Sequence, residues 1–255
     1  MTEDIIPGSR FDGRHALVTG STRGIGLAVA RRLAAGGADV VLNYQKDATN
    51  ASSVVKEIKE KWRRRCIAVK ADMSDGDACR RLAREAIEFL GGLDFLVHNA
   101  GPFEMGTVAE MPPDRFKYIL ESNFTSGFHL TQACIEELRK SDYPAIVYVG
   151  GVNTGVVKPG VRTSAYTAAK AALAVMMRTV AAEEGPNGIR ANMVCPGFID
   201  TGSYSDSFRE KAVMQVPMGR LGKPDDVAEP ICWLLTREAR YVTGTIIDAG
   251  GGLWI

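Results

Sequence analysis

The residues of this sequence best suited to proton transfer are Tyr166 and Lys170, which stand four positions apart. The surrounding segment, 164–177, is rich in alanine and has neither Pro nor Gly, which favours a helix. Residues four apart share one face of a helix, so the phenol and the ammonium group lie side by side. A free phenol has a pKa near ~10, and a nearby cation stabilises the phenolate and lowers that pKa. The pair therefore predicts a proton donor usable near neutral pH, although this spacing also occurs by chance on many helices.

Three glycines, Gly20, Gly24 and Gly26, lie between a predicted strand at 15–19 and a predicted helix at 27–33. Gly20 permits a tight turn, and the other two let a cofactor and the helix approach the backbone closely. The start of the helix offers free N–H groups and the positive end of its dipole to a pyrophosphate. Three glycines alone also occur in ordinary loops, but between a strand and a helix they indicate dinucleotide binding.

The end of the second predicted strand, at Asn43 and Tyr44, bears on which nicotinamide cofactor binds. Sites that prefer NAD carry a carboxylate there for the ribose hydroxyls. In this chain the residues from Asn43 to Lys46 include no acid, and the next acidic residue is Asp47. Arg23 stands inside the glycine-rich loop. A cation there, without a competing carboxylate, suits the 2′-phosphate of NADP(H). The alternative is that Arg23 is a solvated loop residue without a ligand. We therefore expect NADP(H).

Short apolar strands that alternate with helical segments must position these residues. Such alternation implies a parallel, doubly wound sheet with helices on both faces. We predict an α/β protein: one Rossmann-fold domain over 1–255 with a seven-stranded sheet, a lead-in at 1–12 and a substrate lid at 202–217. The predicted strands are 15–19, 39–43, 66–71, 93–97, 145–149, 189–194 and 245–248. The predicted helices are 27–33, 51–61, 77–90, 114–140, 164–185 and 224–235.

Composition excludes several other functions. The chain has 255 residues and a net charge of +1, so no strong field favours nucleic acid or an anionic membrane. Its five cysteines form no CxxC pair, which indicates reduced thiols in a cytoplasmic protein. Residues 1–10 lack the apolar stretch of a signal peptide, and no apolar run reaches about 18 residues. We expect no membrane span, no nucleic-acid partner and no metal site.

Further motifs follow the glycine-rich loop, at Asp72, 99–101, Asn123, 195–197, 217–224 and 244–251. Together with the glycines and the Tyr166–Lys170 pair, they resemble the motifs of the short-chain dehydrogenase/reductase family over nearly the whole chain. Within it, the pattern is most similar to 3-oxoacyl-[acyl-carrier-protein] reductases and related ketoreductases of secondary metabolism. The resemblance implies NADP(H)-dependent reduction of a small carbonyl substrate, free or bound to acyl-carrier protein, by a homotetramer. The matching positions are Thr19, Gly20, Gly24, Ile25, Gly26, Asp72, Asn99, Ala100, Gly101, Asn123, Tyr166, Lys170, Cys195, Pro196, Gly197, and the segments 217–224 and 244–251.

The resemblance also implies roles for single residues. Tyr166 would protonate the carbonyl oxygen, and Lys170 would bind the nicotinamide ribose and lower the pKa of Tyr166. Asn123 would hold a water that links Lys170 to solvent, while the backbone around Ile199 and the side chain of Thr201 would bind the carboxamide of the nicotinamide. Beside Tyr166 and Lys170, the implied cofactor set is Gly20, Ser21, Thr22, Arg23, Gly24, Ile25, Gly26, Asn43, Tyr44, Asp72, Met73, Asn99, Ala100, Gly101, Pro196, Gly197, Ile199 and Thr201.

One position departs from the family pattern. A serine usually follows the fifth strand and donates a hydrogen bond to the substrate carbonyl, but here Gly151 occupies that place. Gly151 also lies farther from Tyr166 than that serine does, and the usual spacing falls on Asn153, with Thr154 next. The loop 152–163 is therefore expected to carry two extra residues.

Three interpretations of this departure stay open. In the first, Asn153 or Thr154 supplies the missing donor, since an amide N–H or a hydroxyl can polarise a carbonyl. In the second, the enzyme works without that donor on a substrate with its own orienting groups, at a rate lower by about 10²–10³. In the third, catalysis is lost and the chain binds NADP(H) or a partner, although no such role requires Tyr166, Lys170 and Asn123 together.

Overall fold

The computed structural model describes residues 10–156 and 158–254, and these residues form a seven-stranded parallel sheet in the order β3-β2-β1-β4-β5-β6-β7. The predicted fold class is confirmed, with strand boundaries that differ from the prediction by at most two residues. The central strands are apolar and inaccessible to water, as expected for a sheet covered on both faces. The strands are β1 His15–Val18, β2 Asp39–Tyr44, β3 Cys66–Lys70, β4 Phe95–His98, β5 Ala145–Val149, β6 Arg190–Pro196 and β7 Ile246–Ala249.

Helices cover both faces of the sheet and enclose two apolar cores. One core packs α1, α2 and α8 against the sheet, and the other packs α3, α5 and α6 against the opposite face. The α-helices of the described residues are α1 Gly24–Ala35, α2 Ala48–Trp62, α3 Gly76–Leu90, α4 Pro113–Leu120, α5 Ser126–Leu138, α6 Ser164–Glu184, α7 Asp206–Val213 and α8 Pro224–Leu234. No helix among the described residues is both long and apolar enough to cross a membrane.

The strand order reverses direction at β1, which pairs with β2 on one side and with β4 on the other. Loops that leave the carboxyl ends of β1 and β4 therefore diverge and open a crevice between them. Ligands of open parallel sheets bind at this kind of switch point. The fold thus places the glycine-rich loop after β1 beside the segment Asn99–Gly101, which follows β4.

The single helix predicted over 114–140 is interrupted in the structure. One turn of π-helix over Glu121–Thr125 separates α4 from α5, and there the N–H of Ser126 donates to the carbonyl of Glu121, five residues back. The side-chain amide of Asn123 donates to the carbonyl of Ile119 at 3.0 Å, which is the oxygen that the backbone N–H of Asn123 would take in an α-helix. This competition explains why the helix widens at Asn123.

The segment predicted as a substrate lid, 202–217, contains α7 and is otherwise irregular. The rings of Phe208 and Trp254 each pack edge-on against Phe198, at 5.6 and 5.8 Å between centroids. The segment is therefore attached to the loop after β6 through aromatic contacts, and its role as a lid stays a prediction. Most of the predicted lead-in, 1–9, lies outside the described residues.

Candidate active site

Tyr166 and Lys170 both reach the carboxyl end of β5. The Tyr166 hydroxyl donates to the carbonyl of Gly150 at 3.3 Å. The Lys170 ammonium donates to the carbonyl of Val149 at 2.7 Å and is 3 % exposed. The first two turns of α6 thus carry the proton donor and the cation predicted from their spacing and hold them on the backbone at the end of one strand.

The electrostatic relation of the two groups differs from the expected one. Burial raises the pKa of the Tyr166 phenol, and Cys195 and Tyr204 add to that rise. The Lys170 ammonium is bound to Val149 and lies 5.5 Å from the centre of the Tyr166 ring, so it does not offset the cost of burying a phenolate. In the protein alone, burial outweighs any effect of Lys170 and favours the protonated phenol, while the predicted role of Lys170 toward Tyr166 at the nicotinamide ribose stays a prediction.

Burial acts on Lys170 as well. It lowers the pKa of this ammonium to about 8 because the charged form loses its hydration. The group therefore titrates close to the physiological range.

Asn123 faces the segment that follows β4. Its Nδ2 donates to the carbonyls of Pro102 and Ile119, both at 3.0 Å, while its Oδ1 is buried and has no hydrogen-bond partner among the described residues. A Cβ added to Gly101 would collide with this amide, so only glycine fits there. The amide is fixed with an acceptor oxygen free, and the predicted water between Asn123 and Lys170 stays a prediction.

Gly151 lies directly against Tyr166. A Cβ added at this position would stand 3.2 Å from the Tyr166 hydroxyl oxygen and 3.1 Å from its Cε1. A serine here would therefore bring its hydroxyl beside that of Tyr166, which supports the alignment of Gly151 with the family's serine.

The two residues considered as replacements for that serine have other surroundings. The Thr154 hydroxyl donates to the carbonyl of Gly151 at 2.5 Å and accepts from its N–H at 3.0 Å, which closes a small turn. Asn153 has a left-handed backbone (φ 65°), and its side chain makes no hydrogen bond to the described residues. The donor capacity of Thr154 is thus already used, and its predicted role and that of Asn153 stay predictions.

The glycine-rich loop is held in a shape that leaves its backbone accessible to a ligand. Gly20 and Gly24 have positive φ values of 58° and 56°, which favour glycine. A Cβ on Gly26 would stand 2.5 Å from the carbonyl oxygen of Gly20 and 2.6 Å from Nδ2 of Asn99. The Asn99 amide donates to the carbonyls of Thr19 and Gly20 at 2.9 and 3.1 Å and so ties the loop to the end of β4.

The side chains of several residues in the predicted cofactor set point into the protein. Asn43 is 2 % exposed, accepts from the N–H of Gly20 at 3.0 Å and donates to the carbonyl of Ala71 at 3.1 Å. Ser21 donates to the carbonyl of Val18 at 2.7 Å, and Met73 is buried in the apolar core beside α3. Their predicted contact with the cofactor stays a prediction.

The loop offers an anion a cationic and uncapped helix start. Arg23 precedes α1 without capping it, and its exposed guanidinium has no ion-pair or hydrogen-bond partner among the described residues. Asp72, after β3, accepts from Gln45 at 2.6 Å and from Ser74. Burial raises the pKa of Asp72, but the hydrogen bonds from Ser74 and Gln45 outweigh burial and lower it. Free N–H groups, a free guanidinium and an ionised carboxylate fit a phosphorylated dinucleotide.

The remaining predicted cofactor residues surround the same crevice. A Cβ added to Gly24 would meet Cγ2 of Thr201 at 3.3 Å, so the segment after β6 reaches the glycine-rich loop. Ile199 is buried and forms a backbone bridge to Gly222. Thr22, Tyr44, Ala100, Pro196 and Gly197 lie in the loops or strand ends at this edge of the sheet, and Ile25 lies in the first turn of α1.

Sequence reasoning did not predict three contacts at this edge. The Thr19 hydroxyl accepts from the N–H groups of Asn99 and Ala100 at 2.9 and 3.0 Å and so joins β1 to β4. Phe103 packs edge-on against Tyr166, with ring centroids 5.1 Å apart, and Tyr204 lies close enough to raise the pKa of Tyr166. Thr19 is one of the motif positions, so the sequence marked it as a candidate. Phe103 and Tyr204 lie in loops whose path the sequence does not specify.

Comparison with known proteins agrees with this geometry. The profile of a family described as enoyl-(acyl carrier protein) reductase matches residues 20–254. An uncharacterized oxidoreductase of Methylorubrum extorquens is 35% identical over 251 residues, which are 96% of this chain and 99% of the relative. A 3-oxoacyl-[acyl-carrier-protein] reductase of Staphylococcus aureus is 32% identical over 245 residues, covering 95% of this chain and 98% of that protein.

Solved structures show the same fold. A short-chain dehydrogenase from Burkholderia cenocepacia, crystallised in complex with NADP, superposes with a TM-score of 0.91 at 37% identity and covers 96% of this chain and 99% of its own. The fold and the site define a Rossmann-type oxidoreductase. This chain belongs to the short-chain dehydrogenase/reductase family.

Proposed function

We propose that the protein is an NADP(H)-dependent carbonyl reductase in which Tyr166 is the proton donor. The observation that carries this proposal is the meeting of Tyr166 and Lys170 at the end of β5, at the edge of the sheet that also carries the glycine-rich loop. When bound, the cofactor supplies the hydride for the carbonyl carbon. Tyr166 then gives its proton to the carbonyl oxygen, which completes the alcohol.

NADP(H) is the cofactor that the residues fit. Arg23 has no carboxylate partner among the described residues, and Asn43, which stands where a NAD site carries an acid, is turned inward. The Burkholderia relative was crystallised with NADP. Equal affinity for NAD and NADP in a binding titration would contradict this assignment.

The substrate is a small carbonyl compound, either a 3-oxoacyl thioester, as the name of the Staphylococcus relative suggests, or a ketone of secondary metabolism. Lys170 holds the nicotinamide ribose in this proposal, and Asn123 leads protons to it through a bound water. The protein acts in the cytoplasm, consistent with five free and buried thiols.

A specific observation favours a second candidate, an NADP(H)-binding or partner-interaction protein with impaired catalysis. Gly151 supplies no side-chain donor beside Tyr166, and the Thr154 hydroxyl is already bonded to the Gly151 carbonyl. Against this candidate, the tyrosine, the lysine and the fixed Asn123 amide are all in place.

Oxidation of NADPH over a panel of ketones and 3-oxoacyl thioesters separates the two candidates. The reductase is expected to consume NADPH, and Tyr166→Phe is expected to lower kcat by about 10²–10⁴ because the donated proton is lost. Tyr241→Phe, at a fully exposed tyrosine, is the matched control and should leave kcat unchanged. Tight NADPH binding without turnover of any carbonyl compound would establish the second candidate instead.

A further inference from the structure

An exposed aromatic ring packs against Tyr166, and the proposed reduction does not require it. Phe103 packs against the Tyr166 ring at 5.1 Å with an interplanar angle of 81°, yet 60 % of Phe103 stays exposed. Leaving a large apolar ring in water beside a catalytic group is unfavourable unless a ligand covers it. The loop that carries it is fixed rather than free, because the N–H of Gly106 donates to the carbonyl of Arg162 at 2.8 Å.

A second aromatic wall lies on the side of Tyr204. Tyr204 and Phe208 pack at 4.5 Å between ring centroids with an interplanar angle of 38°, and Phe208 is 38 % exposed. Tyr204 also adds to the rise in the pKa of the Tyr166 phenol. Aromatic residues of two separate segments thus act on Tyr166, Phe103 by direct packing and Tyr204 through its electrostatic effect.

The third neighbour of the hydroxyl is the bare backbone of Gly151, which leaves space but gives no side-chain hydrogen bond. A substrate carbonyl must then be oriented by something other than a serine. An aryl group attached to the carbonyl meets this need, because conjugation keeps the ring and the C=O group in one plane. Rings that hold the aryl plane by stacking also hold the carbonyl, and a rigid ligand loses less entropy on binding than a flexible acyl chain.

We propose that the site is selective for ketones whose carbonyl carbon bears an aryl ring, with Phe103 and the Tyr204–Phe208 pair as the residues that determine this specificity. The inference rests on the proposed reductase function and narrows its substrate class. The rings orient the substrate, while Tyr166 keeps the role of proton donor.

The test compares 1-phenylethanone with 1-cyclohexylethanone, which share one carbon skeleton and differ only in the saturation of the ring. NADPH oxidation by the full chain is expected to give a kcat/KM about ten-fold higher for the phenyl ketone, since aromatic pairs stabilise a complex beyond the area that they bury. The acetoacetyl thioester of N-acetylcysteamine is the third substrate and is expected to be slower than the phenyl ketone.

Variants assign the preference to the rings. Phe103→Leu and Phe208→Leu keep apolar side chains and should each reduce the phenyl-to-cyclohexyl ratio by about three-fold to ten-fold. Phe89→Leu changes a phenylalanine on α3, outside the site, and should leave the ratio unchanged.

The outcomes separate this inference from the function on which it rests. Equal kcat/KM for the two ketones, or a faster thioester, overturns the aryl preference and leaves the reductase in place. A preference that survives both leucine variants overturns the role of the rings. If no carbonyl compound is reduced at all, the proposed function itself fails.

Discussion

At the scale of single residues, the proposed role of Tyr166 can be tested at Gly151. Gly151→Ser is expected to raise kcat by up to about 10²–10³ on a substrate without its own orienting group, the range that one such donor is worth. The reason is geometric, because the new Cβ would stand 3.2 Å from the Tyr166 hydroxyl. Steady-state kinetics of NADPH oxidation measure the effect.

The matched control for this change is Gly151→Ala, which adds the same Cβ without the hydroxyl. It should give no gain, and a slight loss is expected because the Cβ presses on the Tyr166 ring at 3.1 Å. If serine and alanine behave alike, the missing donor is not what limits turnover, and Asn153 or another group already orients the carbonyl.

Lys170 makes stability depend on pH. Its pKa is lowered from 10.5 to about 8 by burial. Below pH 8 the folded protein bears the cost of burying the charged form, on the order of 3 kcal/mol from this shift. Between about pH 8 and pH 10 the folded chain has lost this proton while the unfolded chain keeps it, so the free energy of unfolding rises with pH.

Urea unfolding of the free protein at pH 7, 8.5 and 10, compared with Lys170→Met, tests this. The free energy of unfolding of Lys170→Met minus that of the wild type should decrease as pH rises, because only the wild type gains stability from losing the proton. Parallel profiles would show that Lys170 is not desolvated as its burial implies. Tyr166, whose pKa is raised, affects stability only above about pH 10.

How well the sequence predicted a residue's position depended on how many conformations and partners are open to that residue. Tyr166 and Lys170 were placed correctly because their spacing on a helix leaves little freedom. Asn43 was expected beside the cofactor but turns inward, since an amide can satisfy backbone groups on either side of a strand end. The direction of such a side chain follows from the neighbouring strands, which a single sequence does not display.

At the scale of elements, the π-turn at Glu121–Thr125 is the feature that periodicity could not reveal. The apolar pattern continues through it, and the break arises from one side chain that competes for the carbonyl of Ile119. The strands were found more easily, since buried parallel strands appear as short apolar runs between helices. The lid predicted at 202–217 carries Tyr204, whereas the packing of Phe103 against Tyr166 was not predicted, because its loop has no periodic pattern.

Asn123→Ala tests the function of this turn. The carbonyls of Pro102 and Ile119 lose their donor, so the free energy of unfolding is expected to fall by about 1–3 kcal/mol. We also expect kcat to fall while the dissociation constant of NADPH changes little. Chemical denaturation and kinetics on the same preparation check both effects.

Asn187→Ala is the control, because Asn187 is exposed and its amide donates one hydrogen bond, to Glu184, at 3.0 Å. Its effect on stability should stay within about 0.5 kcal/mol and kcat should not change. An Asn123 variant that behaves like this control would show that the turn and its amide serve neither stability nor proton transfer.

At the scale of the whole molecule, one edge of the sheet gathers groups from distant parts of the sequence. The glycine-rich loop, Asn99, Gly151, Tyr166 and Thr201 all follow or approach the carboxyl ends of parallel strands. Crossover connections bring these ends together, so the order of motifs in the sequence is enough to predict that they share a site. The distances within the site require the packed structure.

The outer surfaces of α5 and α6 give the last prediction, which concerns assembly. Phe128 on α5 is 46 % exposed and Val175 on α6 is 67 % exposed, which is unfavourable for apolar side chains facing water. Cover by a second copy of the chain would agree with the homotetramer implied by the family resemblance. Phe128→Glu and Val175→Glu should therefore yield smaller species in sedimentation velocity, since a buried unpaired carboxylate opposes association. Tyr241→Glu, at a fully exposed position outside these helices, should leave the sedimentation coefficient unchanged, and a wild-type chain that sediments as a monomer would contradict the proposal.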